Sequence, residues 1–357
     1  MNMLTGESAR RKAIGAGLGL LGATGLPRLA APVTGGAGAI LMFHHVRPWS
    51  GQAYAPNRGL EITPEFLDET IAVTRERGFD LVSIDEATRR LRTGEHGTRR
   101  FAVLTFDDGY RDNLEHALPV LRRREAPFTL YVTTGFADHA ARLWWVELEE
   151  AIRRLPRVEA VVGGVAVSLA AGADAEKSAA YARVYWLLRA RPESELLAVT
   201  GELATRAGMD LMLPARKLCM NWDELADFAR EPLCTIGVHT LTHPMLAKHP
   251  EEVARAEIAE SRAIIEARLD RPAAHLAYPV GDPTSAGRRE FELARELGFA
   301  SAVTTRKGMI FPEHGDHLTA LPRLSINGDF QTRAALDVLL SGAPFWLANR
   351  GRRLNVA

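Results

Sequence analysis

Cysteine is nearly missing from this chain: Cys219 and Cys234 are the two thiols in 357 residues. So few exclude a disulfide-built scaffold, and free buried thiols are the expectation. Net charge is missing too. Lys+Arg and Asp+Glu each number 44, so the overall balance gives no argument for a nucleic-acid or anionic-membrane partner. No apolar run is long enough to span a bilayer, and there is no internal repeat or low-complexity tract. What is present is the material of a globular protein. Hydrophobic residues make up 46% and charged residues 25%, enough for one large or two ordinary domains.

The chain is organised around FAVLTFDDGYRDN, residues 101–113. A short apolar run stopped by a turn residue reads as a buried strand. Asp107 and Asp108 then stand at the strand's carboxyl end, where α/β folds place their chemistry. Adjacent carboxylates repel. The conflict is relieved if one binds a cation and the other is left to move a proton. The competing reading is a helix cap, with Asp108 opening a helix near Tyr110.

Around this stretch the pattern alternates strand and helix. Strand candidates fall near residues 40, 80, 101, 128, 235, 275, 300 and 321, a barrel-sized set with several polar residues at carboxyl ends. Thr63-Pro64 opens one helix and Asn221 another. A helix is expected over 114–124 and another over 250–269, with Val253, Ile258, Ile264, Ile265 and Leu269 as its apolar face. From about 137 to 220 the rhythm changes to a mostly helical insertion. It holds Trp144-Trp145, a hairpin over 158–169, and a long helical stretch with Asp174 as a cap and a break at Pro192. The two tryptophans either stack on sugar or pin the insertion to the core. Residues 331–357 form a helical tail. Residues 1–38 read in two ways. Arg10-Arg11-Lys12 before AIGAGLGLLGATGL has the pattern of an export signal, and the alternative is a helix docked on the domain. The location is accordingly exported or cytoplasmic.

His239-Thr-Leu-Thr-His243 is the second chemical signal. Histidines four apart lie on one face of a helical turn, close enough to share a metal. With a strand-terminal carboxylate they make a three-ligand set with open positions, the pattern of a catalytic zinc site.

These two motifs resemble those of the NodB-type polysaccharide deacetylases, carbohydrate esterase family 4. Thr105 to Gly109 matches that family's TFDDG, and His239 to His243 matches its His-(Ser/Thr)-x-x-His. The resemblance covers roughly residues 39–330. It implies a distorted (β/α) barrel carrying the helical insertion. It also implies metal-dependent hydrolysis of N-acetyl groups from a GlcNAc-containing oligo- or polysaccharide, with release of acetate. Asp107 would be the base, and Asp108, His239 and His243 would hold a divalent metal, zinc by preference. A backbone N–H would help to stabilise the oxyanion.

Two motifs depart from the common pattern. The late Leu-x-His is replaced by Leu321-Pro322-Arg323-Leu324, and the proline motif, Leu276 to Asp282, lacks its arginine. Both departures resemble the rearranged branch that includes the poly-N-acetylglucosamine deacetylases, where the acid histidine follows an N-terminal strand. Phe43-His44-His45-Val46 fits that place. The resemblance therefore implies His44 as general acid, with His45 structural; from its position alone, Arg323 is expected to orient Asp107 in place of the missing arginine. The resemblance also implies Tyr278 and Pro279 as pocket walls, Tyr278 as the oxyanion N–H donor, and Asp282 tuning His44 or holding substrate. The partner implied is an N-acetylated glycan: chito-oligosaccharide, poly-GlcNAc or a lipid-linked intermediate all fit. No nucleic acid is implied, and the oligomeric state is left open. Two other classes stay in view: a Mg-dependent phosphoryl-transfer enzyme, disfavoured by the histidines, and an inactive carbohydrate-binding homologue.

Overall fold

The structure, a computed structural model, describes residues 4–95 and 99–356. Its strands, in chain order, are β1 Gly38–Phe43, β2 His45–Val46, β3 Glu61–Ile62, β4 Phe79–Leu81, β5 Arg100–Phe106 and β6 Phe128–Val132. The second half adds β7 Arg157–Val162, β8 Val165–Ala170, β9 Cys234–Val238, β10 His275–Ala277, β11 Ser301–Lys307 and β12 Leu321–Ser325. Strands β1, β5, β6, β9, β10, β11 and β12 pair in parallel, and the β1–β5 pairing closes the ring. The barrel thus has seven staves, one fewer than the strand candidates in the sequence. The remaining candidate, β4, shares an edge of β5. Phe79 to Leu81 pair with the first half of that edge, and β6 takes its second half from Leu104 onward.

Both faces of the barrel strands are covered, so they read as near-continuous apolar runs. Along β5, Ala102, Leu104 and Phe106 face the helices, where they join the main core. Phe101 and Val103 face inward, with Ile40, Tyr131, Ala277 and Val303. Each fully buried side chain of Leu or Phe size contributes roughly 1.5–3 kcal/mol. Period two then sends Asp107 to the interior above Thr105. Register does the rest. Phe43 lies opposite Phe106, so His44 and Asp107 leave their strands side by side. Val132 lies opposite Val238, which brings His239 to the same end.

The helices start where capping chemistry permits. Thr63 accepts from the Phe66 N–H at 3.2 Å, with Pro64 at the first helical position. Asn221 and Glu224 cap each other reciprocally. Three local expectations are corrected. The segment over 114–124 opens as a wide π turn, Asn113–Ala117, before its α-helical part Leu118–Arg123. Asp174 is the first helical residue, and Ala173 holds the cap position. In the helix Glu251–Leu269 the buried face is Ala254, Ile258, Ser261 and Ile265, while Val253 is exposed.

Residues 134–219 form helices and the β7–β8 hairpin around an apolar cluster of their own, which also takes in Tyr54, Tyr110 and Met245. Polar ties fix this layer to the loops that follow β9 and β10. Arg189 pairs with Asp282 at 2.8 Å, and Lys248 donates to the carbonyls of Arg189 and Arg191. The layer therefore lies over the end of the barrel where Asp107 emerges. Cys219 and Cys234 are both buried and free.

The N-terminal segment forms helices Leu4–Thr24 and Leu26–Thr34. Leu18 packs against Ala335 and Val338 of the helix Arg333–Leu340, and Gly22 lets the two helices approach closely at Val338. Residues 1–3 and the side chains of Arg10, Arg11 and Lys12 lie outside the described residues. Among the described residues no helix is long and apolar enough to cross a membrane.

Candidate active site

Four segments converge at the carboxyl end of the barrel: His44 after β1, Asp107-Asp108 after β5, His239 to His243 after β9, and Arg323 from β12. Arg323 is wholly buried and stands inside the ring. Its Nη1 and Nη2 each donate to one oxygen of Asp107 at 2.7 Å. Its Nε donates to the Thr304 carbonyl at 2.9 Å, and Nη1 also reaches Thr105 Oγ1 at 3.2 Å. Below it, the Arg323 guanidinium lies 6.0 Å from the centre of the Tyr131 ring. That ring fits because position 237 is glycine: a Cβ there would sit 2.5 Å from a Tyr131 ring carbon.

Burial alone would push the Asp107 carboxyl up. The Arg323 guanidinium, with help from His239 and His44, outweighs it and holds Asp107 below the usual carboxylate range. The His44 Nε2 lies 3.9 Å from Asp107 Oδ2, with the imidazole 18% exposed at the mouth. Burial pushes the His44 imidazole down, against the pull of Asp107 and Asp108. Its neighbour has a different setting. His45 Nδ1 meets Asp112 Oδ2 at 2.6 Å, and the ring stacks on Tyr110 with 3.5 Å between centroids.

Asp108 faces the other way. Its Oδ1 lies 3.3 Å from both His239 Nε2 and His243 Nε2, yet it is buried with no hydrogen-bond partner among the described residues. His239 Nδ1 lies 2.7 Å from the Ala277 carbonyl, which can only accept. The proton therefore sits on Nδ1, and the Nε2 lone pair points at Asp108. A lone pair facing a carboxylate oxygen is held only by a proton or a cation between them. Burial works against a charge on His239, but the Asp108 and Asp107 carboxylates outweigh it and raise its pKa. The ligand atoms of Asp108, His239 and His243 lie within 4.8 Å of one another. One carboxylate oxygen and two imidazole nitrogens at this spacing, with an orphaned buried oxygen among them, fit a divalent cation.

The loops that make this site are strained. Asp108, Thr240, His243 and Val280 have φ of 71°, 64°, 64° and 61°, a region that costs non-glycine residues about 1–3 kcal/mol each. His239 to His243 is accordingly a loop and not the helical turn its spacing suggests. The histidines converge because the chain turns back at Thr240, whose carbonyl accepts from Ser261 Oγ at 2.9 Å. Glu257 holds the Leu241 and Thr242 N–H groups at 2.9 and 2.8 Å.

Other expected site residues lie elsewhere. Tyr278 follows the inward Ala277 and so faces outward. It is buried in the main core with its hydroxyl on the Thr319 carbonyl at 2.8 Å. Its N–H is taken by the Val303 carbonyl at 3.1 Å, so it neither walls the pocket nor serves as an oxyanion donor. Pro279 is buried in the turn that follows, its carbonyl accepting from the Gly281 N–H. Asp282 makes a local turn with Thr284 and Ser285 and pairs with Arg189. The largest charge effects on His44 come from Asp107, Asp108, Arg323 and His239. Trp144 and Trp145 are 3% and 6% exposed and pack edge to face, so they pin the insertion down. Trp145 lies 5.0 Å from the His243 ring. Sequence reasoning passed over Asp112, which holds His45, and Tyr110. The Tyr110 hydroxyl is buried with no hydrogen bond among the described residues, and burial together with the nearby Asp108 charge pushes its pKa up. Its place directly after the acids and glycine was the available signal.

The family model for polysaccharide deacetylase matches residues 94–163 and 167–302. The chain belongs to the polysaccharide deacetylase family. Its members are hydrolases acting on carbon–nitrogen bonds, and the seven-stave ring is the NodB-type barrel of these enzymes. A Streptococcus pyogenes deacetylase, PplD, solved in complex with acetate, is similar in fold, with a TM-score of 0.54 at 19% identity over 82% of this chain and 92% of that one. IcaB from Ammonifex degensii gives 0.51 at 18% identity, covering 85% and 96%. A de-N-acetylase from Aggregatibacter actinomycetemcomitans gives 0.51 at 12% identity, covering 84% and 98%. No curated protein sequence matches the chain.

Proposed function

We propose that this polysaccharide deacetylase is a metal-dependent hydrolase of N-acetyl groups on a GlcNAc-containing glycan. The observation that carries the reading is the division between two adjacent acids. Asp107 is held ionised by Arg323, while Asp108 turns an orphaned oxygen toward the Nε2 atoms of His239 and His243, the first of them a lone pair. Asp108, His239 and His243 would hold the cation, zinc by its preference for nitrogen and carboxylate ligands. When bound, it supplies Lewis acidity to the amide carbonyl and to a water.

The chain's own groups do the rest. Asp107 takes a proton from the attacking water, with Arg323 fixing the orientation of its carboxylate. The new C–O bond forms as the carbonyl carbon becomes tetrahedral. The Val280 N–H has no partner among the described residues and sits in the turn after β10. It takes the oxyanion role that Tyr278 cannot fill. His44 gives a proton to the leaving nitrogen as the C–N bond breaks, releasing acetate and the free amine. The acetate complex of the Streptococcus neighbour and the de-N-acetylase description of another agree with this product. The test is acetate release from N-acetylated chito-oligosaccharides and poly-GlcNAc by the metal-loaded enzyme. His44→Ala and Asp107→Asn should each lower turnover by about 10²–10⁴. Unchanged release in both would sink the mechanism, and full activity in His44→Ala alone would sink the acid assignment.

A further inference from the structure

The neutral overall charge hides an uneven distribution. From Ser8 to Leu60 there is no acidic residue, and none follows Asp337 to the end of the sequence. The terminal stretches 8–37 and 338–357 instead carry seven cations: Arg10, Arg11, Lys12, Arg28, Arg350, Arg352 and Arg353. The same two stretches hold most of the exposed large apolar side chains among the described residues. Leu20, Leu26, Leu29 and Val33 are 71%, 57%, 78% and 62% exposed, and Trp346 and Leu347 are 40% and 60% exposed. Leu26, Leu29 and Val33 follow i, i+3, i+7 spacing, one stripe along the helix Leu26–Thr34. Trp346 and Leu347 belong to the helix Ala343–Ala348, which contacts that helix. Arg350, Arg352 and Arg353 follow it and are exposed, with Arg353 also paired to Glu313.

We propose that these terminal helices form a docking face for an anionic lipid surface. An apolar stripe flanked by cations is the pattern of a helix lying in the membrane interface, and basic residues add attraction to an anionic leaflet. Charge selects this occupant over a second copy of the chain. A symmetric dimer through this face would set the exposed Arg350 and Arg352 against their own copies, while Glu313 is already engaged by Arg353. The placement also makes functional sense. Thr34 precedes β1 by a few residues, so the face lies toward the amino ends of the barrel strands. His44, Asp107 and His239 stand at the carboxyl ends. A molecule docked this way turns its site toward the glycan and away from the lipid.

The test uses the full chain, its intact N-terminus checked by mass, with phosphatidylglycerol/phosphatidylcholine vesicles and with pure phosphatidylcholine vesicles. Sedimentation with the anionic vesicles is expected, about tenfold or more weaker on pure phosphatidylcholine and at high salt. The Leu26→Ser/Leu29→Ser/Val33→Ser variant should lose about tenfold in partitioning while keeping its circular dichroism and its activity on soluble substrate. Arg350→Gln/Arg352→Gln, on exposed loop positions, should lower anionic binding alone. Failure of the full chain to bind, or binding by both variants as strong as that of the wild type, overturns the proposal. So does a concentration-dependent dimer that the apolar variant abolishes in the absence of vesicle binding.

Discussion

Asp107 and Asp108 are neighbours of one chemistry in two different surroundings. Both oxygens of Asp107 are satisfied by a buried guanidinium that is itself held by Thr304 and Thr105. Asp108 presents a buried oxygen that meets no hydrogen-bond donor among the described residues, to the Nε2 atoms of His239 and His243, of which the His239 atom carries a lone pair. A buried carboxylate costs several kcal/mol unless something compensates it. In one half of the site the protein supplies that compensation, and in the other half it leaves it to a ligand. The difference is what the proposed roles rest on, one acid as positioned proton acceptor and the other in a metal set, a distinction the two letters DD do not carry.

The sharpest way to break this comparison is to remove one charge at a time. Asp107→Asn keeps the shape and should cost about 10²–10⁴ in turnover with metal content unchanged. Asp108→Asn should lose both turnover and bound metal, as should His239→Ala. Metal analysis of the purified variants alongside acetate release separates the cases. If Asp107→Asn also comes out metal-free, the two carboxylates share one role and the division fails. Removal of metal with a chelator should abolish activity in the wild type, and zinc should restore it.

Much of the barrel was readable because parallel strands buried on both faces leave apolar runs of a recognisable length. Closure by seven strands was not readable. It depends on β4 and β6 sharing one edge of β5, a matter of register between segments far apart in sequence. The site divides in the same way. The acids and histidines announce themselves as motifs, whereas the left-handed backbone at Thr240 and His243 that aims the histidines has no local signature. Arg323 could be named from its place in the last strand. Tyr278 was misjudged because the three-residue strand before it gives too short an alternation to fix which way the next side chain turns. Asp282 was misjudged because an acid after a proline–glycine turn looks alike whether it serves the turn or the site.

Two stability measurements sharpen the contrast further. Arg323→Ala leaves the Asp107 carboxylate buried and unpaired, and should cost about 3–5 kcal/mol. Arg323→Met combined with Asp107→Leu should recover most of that loss while remaining inactive. Thermal melts of the three proteins decide it. A small cost in the single variant would mean that Asp107 is not compensated by Arg323 alone. His314 offers a buried orphan outside the metal set. Its Nδ1 accepts from the Phe311 N–H at 3.0 Å, and its Nε2 has no partner among the described residues. Burial depresses its pKa from 6.5 to about 4. A histidine kept neutral in the fold stabilises fully above its unfolded pKa, and that contribution is lost as pH falls through the folded one. The wild type should therefore lose up to about 3 kcal/mol between pH 6.5 and 4 relative to His314→Gln. Parallel pH dependence in both proteins would remove His314 as an example.

The smallest expected effect is the most specific to Asp107. Arg323→Lys keeps the positive charge but replaces a two-pronged planar donor with a point charge. If Arg323 acts only by holding Asp107 ionised, lysine suffices and turnover is unchanged. If it also fixes the direction of the carboxylate toward the attacking water, turnover should fall by about tenfold, with KM and bound metal unaltered. A fall in metal content would instead mean that the two halves of the site are coupled through the backbone between positions 107 and 108. The strained φ of 71° at Asp108 is the element that would transmit it. Measuring kcat, KM and zinc together on this one variant therefore tests both whether Asp107 is positioned and whether its positioning is independent of its neighbour.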